Sequence, residues 1–435
     1  MELNEATRKQ ACASTSRSLA SDPDRLSALP DCLLHTIMSF MKARQAVQTC
    51  VLSTRWRHLW HSVPCLDIDL DEFKVDNDTG SFEDNDIDND TEWGNFGNFT
   101  VNLLLRCNIA LLDSFKLRAG WVGAPYSAKR QAGGWIRHAM KYWAPDTVIQ
   151  REGLCSSFWH LKSLYLCYVF LNKNFGMYVS SVCHTLEDLE LDNCTCAFHS
   201  ITSHTLKNLV LKNCGWFKLS EITLPTLKTL VIDGGSNCYL LVIVAPAVTY
   251  LLLDVNVDCF LGRISIKEMP YLANASIHQR GCGHMVENQL PGNQFNLLCD
   301  VSDTTSLELS GFGIMKLSEE SKPFQEFKNL RNLLLDNCDL TDDFQMLTLF
   351  LQNSLNLEKL TLRHCKFPND SKKKKGVQKP KKSSPSQCQT LDIQCDNLKL
   401  TEIIYKDNDV HQPVELLMCI SWKMPKNYIK LTKVD

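Results

Sequence analysis

The segment Leu186-Glu-Asp-Leu189-Glu-Leu191-Asp-Asn-Cys194 returns twenty residues later as Leu206-Lys-Asn-Leu209-Val-Leu211-Lys-Asn-Cys214. Both copies follow the pattern Leu-x-x-Leu-x-Leu, in which apolar and variable positions alternate, as is typical of a half-buried strand. A single strand of this length cannot bury its apolar face alone. We therefore expect the copies to stack side by side around one shared core.

The same pattern recurs along most of the chain. Further copies begin at Leu161, Leu227, Val248, Leu272, Thr304, Leu330 and Leu357. Successive copies begin 20 to 32 residues apart, and most of these intervals match the period of leucine-rich repeats. The sequence therefore predicts an α/β leucine-rich-repeat solenoid over residues 155–368, with a curved parallel sheet and helical or irregular return segments. We expect residues 389–435 to form a closing C-terminal repeat or cap.

The chain contains 20 cysteines, yet residues 1–25 lack the apolar run of a secretory signal, which favours a reducing compartment. Four cysteines directly follow repeat strands: Cys194, Cys214, Cys338 and Cys365. We interpret the Cys or Asn at this place as a small group turned inward at the bend. Cys194-x-Cys196 and Cys282-Gly-His284 lack the paired spacing of zinc ligands. The pattern predicts no disulfide, no metal site and no cofactor.

Side chains alternate along a strand, so the variable positions of each repeat point to the concave face of the solenoid. In mid-array these positions carry an apolar band with acidic residues on its N-terminal side. The resulting candidate substrate surface comprises Asp188, Glu190, Val210, Val231, Tyr250 and Leu252. We hypothesise that this surface grips a protein segment with apolar anchors and a basic flank. The alternative is that the C-terminal segment of the chain covers the band.

Residues 24–66 form a separate apolar cluster ahead of the repeats. Leu29, Leu33, Ile37 and Met41 recur at spacings of four, as on one face of a helix. A second apolar set farther along this segment predicts short helices packed on the first. A module of roughly forty residues is near the lower limit for an independent core. We expect it to share its apolar residues with a partner or with the following domain.

The region between this module and the repeats begins with a strongly acidic stretch, in which residues 67–92 hold twelve acidic residues against Lys74. We expect a flexible acidic loop over 67–97, because no register supplies both the Gly and the Glu of an EF-hand. The sequence of residues 98–154 predicts a helix, a short strand and another helix. These elements are expected to cap the open end of the solenoid.

Two further segments lack apolar periodicity. Residues 1–23 are polar and predict a disordered leader. Residues 369–388 form a Lys/Ser/Pro-rich loop, which is either simply solvated or a nuclear import signal. The expected location of the protein is therefore the cytoplasm, the nucleus or both.

Composition and missing motifs exclude several classes of protein. The chain has 435 residues and a net charge of −3, far from the basic excess of a protein held on nucleic acid by phosphate contacts. The longest apolar stretch, residues 239–253, is too short to span a bilayer and is broken by Pro246. We find no phosphate-binding loop, dinucleotide fingerprint, zinc-protease motif or nucleophile elbow. The sequence therefore predicts a protein without enzymatic activity.

The N-terminal module resembles a known family. Its sequence contains Asp24-Arg25-Leu26-Ser27-x-Leu29-Pro30-Asp31-x-x-Leu34. After a gap it continues with Ala46-Val47-x-Thr49-x-Val51-Leu52-Ser53-x-Arg55-Trp56-Arg57-x-Leu59-Trp60. Both motifs are similar to the F-box of plant F-box/leucine-rich-repeat proteins, and the repeats behind them fit the same architecture. The resemblance departs at Met41-Lys42, where the family commonly has Leu-Pro.

The resemblance implies a substrate-recognition subunit of an SCF-type cullin-RING ubiquitin ligase. In such a complex the F-box docks on the Skp adaptor and through it on the cullin scaffold, while the repeats present a protein substrate. Ubiquitin chemistry takes place on other subunits. The resemblance also implies which residues supply the adaptor contacts or the core directly behind them. They are Leu29, Pro30, Leu33, Ile37, Val51, Leu52 and Trp56.

Two other functions remain open. A repeat scaffold would bind the adaptor without changing the lifetime of any partner. A nucleic-acid binder would use the Lys-rich loop and bind with a steep salt dependence, although no interleaved aromatic residues accompany that loop. The identity of the substrate does not follow from the sequence.

Overall fold

The structure of the protein is a computed structural model. It describes residues 26–74, 85–121, 126–143, 160–281, 297–313, 324–367, 395–405 and 427–434, apart from positions 27, 109–110, 182, 217, 238, 257–263, 268 and 342–343. The predicted leader (1–23) and the Lys/Ser/Pro-rich loop (369–388) lie outside the described residues.

The N-terminal module consists of short helices. They are α1 (Asp31–Met38), α2 (Ala43–Gln48), a 3-10 turn (Thr49–Val51), α3 (Trp56–Leu59) and a second 3-10 turn (Trp60–Ser62). Pro30 precedes the first turn of α1, where its missing N–H costs no helical hydrogen bond. Leu34, Met38 and Trp56 are buried in the centre of the module.

One parallel sheet of 13 strands runs through the rest of the molecule, and its spatial order follows the chain. Its strands are β1 (Cys65–Asp69), β2 (Ser114–Arg118), β3 (Ser163–Cys167), β4 (Asp188–Asp192), β5 (Asn208–Lys212), β6 (Thr229–Asp233), β7 (Tyr250–Asn256), β8 (Asn274–Arg280), β9 (Ser306–Ser310), β10 (Asn332–Asp336), β11 (Lys359–Arg363), β12 (Leu400–Tyr405) and β13 (Tyr428–Lys433). This arrangement confirms the predicted solenoid with its helical N-terminal module.

The core lies under the second and fourth positions of the repeat strands. Leu189, Leu209, Leu230 and Leu251 are aligned across four neighbouring strands, and all four are buried. Each leucine therefore packs against the equivalent leucine of the next repeat, which explains the fixed period of the sequence pattern.

The turn after each repeat strand gives Asn and Cys different roles. Asn213 and Asn337 adopt positive φ angles of 48° and 49° and are exposed, because Asn tolerates the left-handed region that the turn requires. These two Asn residues precede the position at which the sequence predicts an inward-turned Cys or Asn. The cysteine that follows is buried, and its thiol donates to a carbonyl of the preceding repeat: Cys194 to Leu166 (3.3 Å), Cys214 to Leu191 (3.4 Å), Cys338 to Leu309 (3.5 Å) and Cys365 to Leu335 (3.3 Å).

The return segments change character along the solenoid. Helices α6 (Phe175–Ser181) and α7 (Gln345–Asn353) form two of them. In the middle repeats, Ile-, Val- and Thr-rich sequences favour extended structure. The resulting short strands are Ser200–Thr202, Glu221–Thr223, Leu241–Val244 and Ile264–Lys267, which form one sheet. A second small sheet contains Phe170–Leu171, Thr195–Cys196, Gly215–Trp216 and Ser236–Asn237.

The prediction of a flexible acidic loop over 67–97 is wrong for the part that the structure describes. Strand β1 is followed by a 3-10 turn (Leu70–Phe73) and then by helix α4 (Asn85–Arg106). Apolar residues among the acidic ones account for this order: Ile68 and Phe96 are fully buried. The charged residues between them had concealed that pattern in the sequence.

The sheet also begins earlier than expected. Strand β2 pairs with β1 on one side and with β3 on the other, so the predicted cap (98–154) supplies a strand of the solenoid itself. Helix α5 (Tyr126–Trp143) lies against α4, where Trp135 stacks on Trp93 with ring centroids 5.5 Å apart. Within the described residues no helix is long and apolar enough to cross a membrane.

Candidate functional site

Helix α1 is apolar on two faces. Leu34 and Met38 point into the module and are fully buried, whereas Leu33 and Ile37 are exposed. The residues spaced four apart in the sequence therefore lie on the outer side of α1 at Leu33 and Ile37. The pair that faces the core, Leu34 and Met38, lies one residue further along the helix. An outward apolar face of this kind is typical of an interaction surface.

Two more exposed apolar residues belong to the predicted set. Val51 closes the first 3-10 turn and Leu52 follows it, with 83% and 60% of their surface exposed. This turn packs against α3, which also contacts α1. Phe40, two residues after α1, is 87% exposed and was missed, since it belongs to no periodic pattern. We call Leu33, Ile37, Phe40, Val51 and Leu52 the outer apolar surface of the module.

The remaining predicted positions support this surface. Pro30 is exposed at the start of α1, while Leu29 is half-buried against the core. Arg55 donates from Nη2 to the Leu29 carbonyl (2.5 Å) and from Nε to Asp31 Oδ1 (2.9 Å). Trp56 is 4% exposed, so it belongs to the core behind the surface.

The helical module is fastened to the first strand of the sheet. Lys42, at the start of α2, forms an ion pair with Asp69 of β1. Burial lowers the pKa of Lys42, but the hydrogen bond and the charge of Asp69 outweigh it and raise the pKa above its ordinary value. Arg44 donates to the carbonyl of Glu72 and lies 4.7 Å from the ring centroid of Phe73. The departure from the family at Met41-Lys42 thus supplies a link between module and sheet.

The sheet brings all six residues of the candidate substrate surface together on four neighbouring strands. Glu190, Val210, Val231 and Leu252 are aligned in one row across β4, β5, β6 and β7. Asp188, Asn208, Thr229 and Tyr250 form the adjacent row. Tyr250 is exposed, and the three apolar residues of the first row are half-buried. The structure therefore presents a continuous apolar strip beside two carboxylates.

A cavity of about 610 Å³ opens at the end of these rows nearest to the helical module. Its floor contains Ser163 and Tyr165 of β3. The Tyr165 hydroxyl accepts a hydrogen bond from Arg118 Nη2 (2.9 Å), and burial raises the pKa of the Tyr165 hydroxyl well above its ordinary value. Asp188 and Glu190 line the cavity on one side, and Lys42 of the module reaches it from the other.

Neighbouring groups neutralise the charges of Glu190 and Asp188 to different extents. Glu190 Oε1 lies 2.8 Å from Lys212 Nζ, so the two charges largely cancel. Asp188 accepts a hydrogen bond from the neutral amide of Asn208 at 2.6 Å. The pair of carboxylates together with Lys212 therefore retains one negative charge.

A network of charged residues lies on the same face of the sheet as the apolar strip, and the sequence pattern did not predict it. Arg280 bridges Asp233 (2.9 Å) and Asp254 (2.6 Å), and Arg363 bridges Glu308 (3.2 Å) and Asp336 (3.0 Å). Partial burial raises the pKa of Asp336, but Arg363 and His364 outweigh it, and the pKa lies below its ordinary value. These residues occupy variable positions that only the register of the strands brings together.

Comparison with known proteins identifies the helical module. Residues 26–67 match the F-box domain family. The chain contains an F-box domain and is similar to plant F-box proteins. Its relatives include a meiotic F-box protein of Oryza sativa subsp. japonica, which is 29% identical over 419 residues covering 87% of this chain and 80% of that protein.

Two Arabidopsis thaliana relatives of this F-box protein match over shorter segments. An F-box/FBD/LRR-repeat protein is 55% identical over 53 residues, which is 12% of either chain. F-box/LRR-repeat protein 13 is 43% identical over 77 residues, covering 18% of this chain and 17% of that protein. The similarity in these two pairs is therefore confined to less than a fifth of each protein.

Proposed function

We propose that this F-box protein is the substrate receptor of an SCF-type cullin-RING ubiquitin ligase. The outer apolar surface docks on the Skp adaptor, which joins the chain to the cullin scaffold. The concave face of the repeats binds a protein substrate. The chain itself is a non-catalytic subunit.

The observation that carries this proposal is the exposure of the outer apolar surface. The five large apolar side chains of this surface remain exposed on a module whose own core is already filled by Leu34, Met38 and Trp56. Burying one aliphatic side chain of this size contributes roughly 1.5–3 kcal/mol, and a few such residues dominate the affinity of most interfaces. The surface thus has the composition of an interface centred on apolar anchors.

The mechanism is proximity. A receptor that holds a substrate near a charged ubiquitin-conjugating enzyme raises its effective concentration at the reacting thioester. The Lys42–Asp69 pair and the Arg44 contacts support this role, because they fasten the adaptor-binding module to the first strand of the substrate-binding sheet. A fastened module limits the positions that the bound substrate can explore.

Co-purification with a plant Skp adaptor tests the proposal. The intact chain is expected to bind the adaptor, and Leu52→Asp is expected to lose binding at least tenfold, which corresponds to about 1.4 kcal/mol. Leu105→Asp is the matched control, because Leu105 on α4 is 60% exposed, as Leu52 is. Equal binding by the intact chain and both variants would contradict the proposal.

We also propose that the Lys/Ser/Pro-rich segment (369–388) directs nuclear import. Clusters of Lys are typical of import signals, and Lys372, Lys373, Lys374 and Lys375 stand in an unbroken run. Replacing these four residues by Gln in a fluorescent fusion is expected to lower the nuclear fraction without affecting adaptor binding. An unchanged distribution would contradict this import role.

A further inference from the structure

The row of side chains that contains the apolar strip extends past Glu190 into the cavity beside the F-box. Its next members are Tyr165 on β3 and Lys116 on β2. Lys116 is exposed and lines the cavity. A ligand lying along this row would therefore meet a cation, then a carboxylate, then the apolar residues Val210 and Val231.

The two walls of the cavity carry opposite net charges. On the β1–β2 side, Lys42, Lys116 and Arg118 face Asp67 and Asp69, which leaves one positive charge. Arg118 is engaged there by Tyr165 and lies 3.9 Å from Asp69. Lys116 is aligned with the half-buried Asp67 of β1 and is exposed on this wall. On the other side, Asp188, Glu190 and Lys212 leave one negative charge, as described above.

The spacing along the row fits an extended polypeptide. Neighbouring strands lie about 4.8 Å apart, so the two steps from Lys116 to Glu190 span about 10 Å. The two steps from Glu190 to Val231 span the same distance. A polyproline II segment advances about 3.1 Å per residue with three residues per turn, so every third side chain points to the same side and three residues cover about 9.3 Å, close to each interval.

We propose, on the basis of the substrate-receptor function above, that the concave face binds a protein segment of defined polarity in the polyproline II conformation. An acidic side chain of the segment pairs with Lys116, a basic side chain three residues further on enters between Asp188 and Glu190, and an apolar side chain three residues beyond that packs on Val231 and its neighbours. Like charges in either place would be repelled, so this order gives specificity as well as affinity.

Peptide binding to the full-length chain tests this inference. The probe is a fluorescent, end-capped peptide of eleven residues with Asp, Lys and Leu at every third position, separated by Ser and Gly. A second peptide with the reversed sequence tests binding in the opposite chain direction. A third peptide, in which Asp and Lys are exchanged, is the control. We expect one direction of the probe to bind at least tenfold more tightly than the exchanged peptide, and raised salt to weaken it.

A charge-reversal cycle identifies the contact at Lys116. Lys116→Glu is expected to weaken the probe about tenfold and to bind better a peptide whose Asp is replaced by Lys. Glu187→Gln is the matched control, because Glu187 adjoins Asp188 in sequence but pairs with Lys207 at 2.9 Å and does not line the cavity. Equal affinity of all peptides, or no change in Lys116→Glu, would overturn the inference.

The same preparations separate this inference from the proposed function. Loss of peptide selectivity with intact adaptor binding refutes the polarity of the segment alone. Loss of adaptor binding in the intact chain refutes the receptor function, whatever the peptides do. Unchanged thermal unfolding of Lys116→Glu confirms that the variant is folded.

Discussion

Arg55 and Asp31 join the two halves of the F-box surface: the guanidinium Nη2 lies 2.5 Å from Asp31 Oδ1. Asp31 begins helix α1, whereas Arg55 directly precedes α3. Because Arg55 also holds the Leu29 carbonyl, a single side chain positions the Leu-Pro-Asp turn against the segment that carries Val51 and Leu52. The Leu-Pro-Asp and Ser-x-Arg-Trp motifs of the sequence are therefore physically coupled.

Removal of this link is expected to weaken adaptor binding without unfolding the protein. Arg55→Ala deletes a forked contact at a site where both partners are exposed, so its effect on stability is within about 1 kcal/mol. The Leu-Pro-Asp turn then loses its support, and we expect a three- to tenfold rise in Kd, or roughly 0.7–1.4 kcal/mol. Isothermal titration with the Skp adaptor measures this change, and an unchanged Kd would show that the turn is held by other contacts.

The attachment of the F-box to the sheet should be visible in stability. Asp69 is nearly buried and accepts from Lys42 and from the backbone N–H of Asp71. Asp69→Asn leaves Lys42 without its partner, and we expect a loss of about 1–3 kcal/mol in the free energy of unfolding. Asp113→Asn is the control, because the exposed Asp113–Lys162 pair (3.3 Å) contributes at most about 1 kcal/mol. Urea unfolding of both variants measures the difference, and equal losses would refute the special role of Asp69.

The cysteines at the turns are expected to resist alkylation. Burial raises the pKa of the Cys338 and Cys365 thiols to about 12, so hardly any reactive thiolate forms at pH 8. Cys32 on α1 is exposed and provides an internal comparison. Iodoacetamide treatment at pH 8 followed by peptide mass spectrometry should label Cys32 first. Rapid labelling of Cys338 in the native protein would contradict the buried turn geometry.

A glycine at one repeat turn should be irreplaceable. Gly311 has a φ of 74°, and a Cβ at this position would lie 2.1 Å from the carbonyl oxygen of Gln279. Gly311→Ala is therefore expected to lower the unfolding free energy by at least about 1–3 kcal/mol. A Cβ added at Gly94 in helix α4 would meet no atom within 4 Å. Gly94→Ala should therefore raise the free energy of unfolding by up to about 1 kcal/mol. Thermal melts compare the two, and a neutral Gly311→Ala would refute the strained turn.

The periodic parts of the fold could be predicted, because the physics of stacking imposes them on the sequence. Leu189 and Leu209 must be apolar and regularly spaced since each packs on its neighbour in the core. The same reasoning placed Val210, Val231 and Leu252 on one face, where the structure aligns them. Strand alternation alone determines that row.

Other features depend on contacts that a single sequence does not reveal. Strand β1 and helix α4 lie within acidic sequence, and their apolar residues form a pattern only once α5 and β2 pack against them. The Arg280 and Arg363 bridges join residues of different strands through the register. Phe40 belongs to no repeat, so only its exposure distinguishes it.

The central claim is that one chain couples an adaptor surface to a substrate surface, and the half-life of a captured partner tests it most directly. Partners would be captured by proximity labelling with the intact chain, and their half-lives followed after translation is blocked. We predict that Leu52→Asp lengthens the half-life of a partner that still binds, that Tyr250→Ala with Leu252→Asp abolishes its capture, and that Leu105→Asp changes neither. A partner captured through the concave face whose half-life is the same with the intact chain and with Leu52→Asp would contradict the claim and identify the protein as a scaffold.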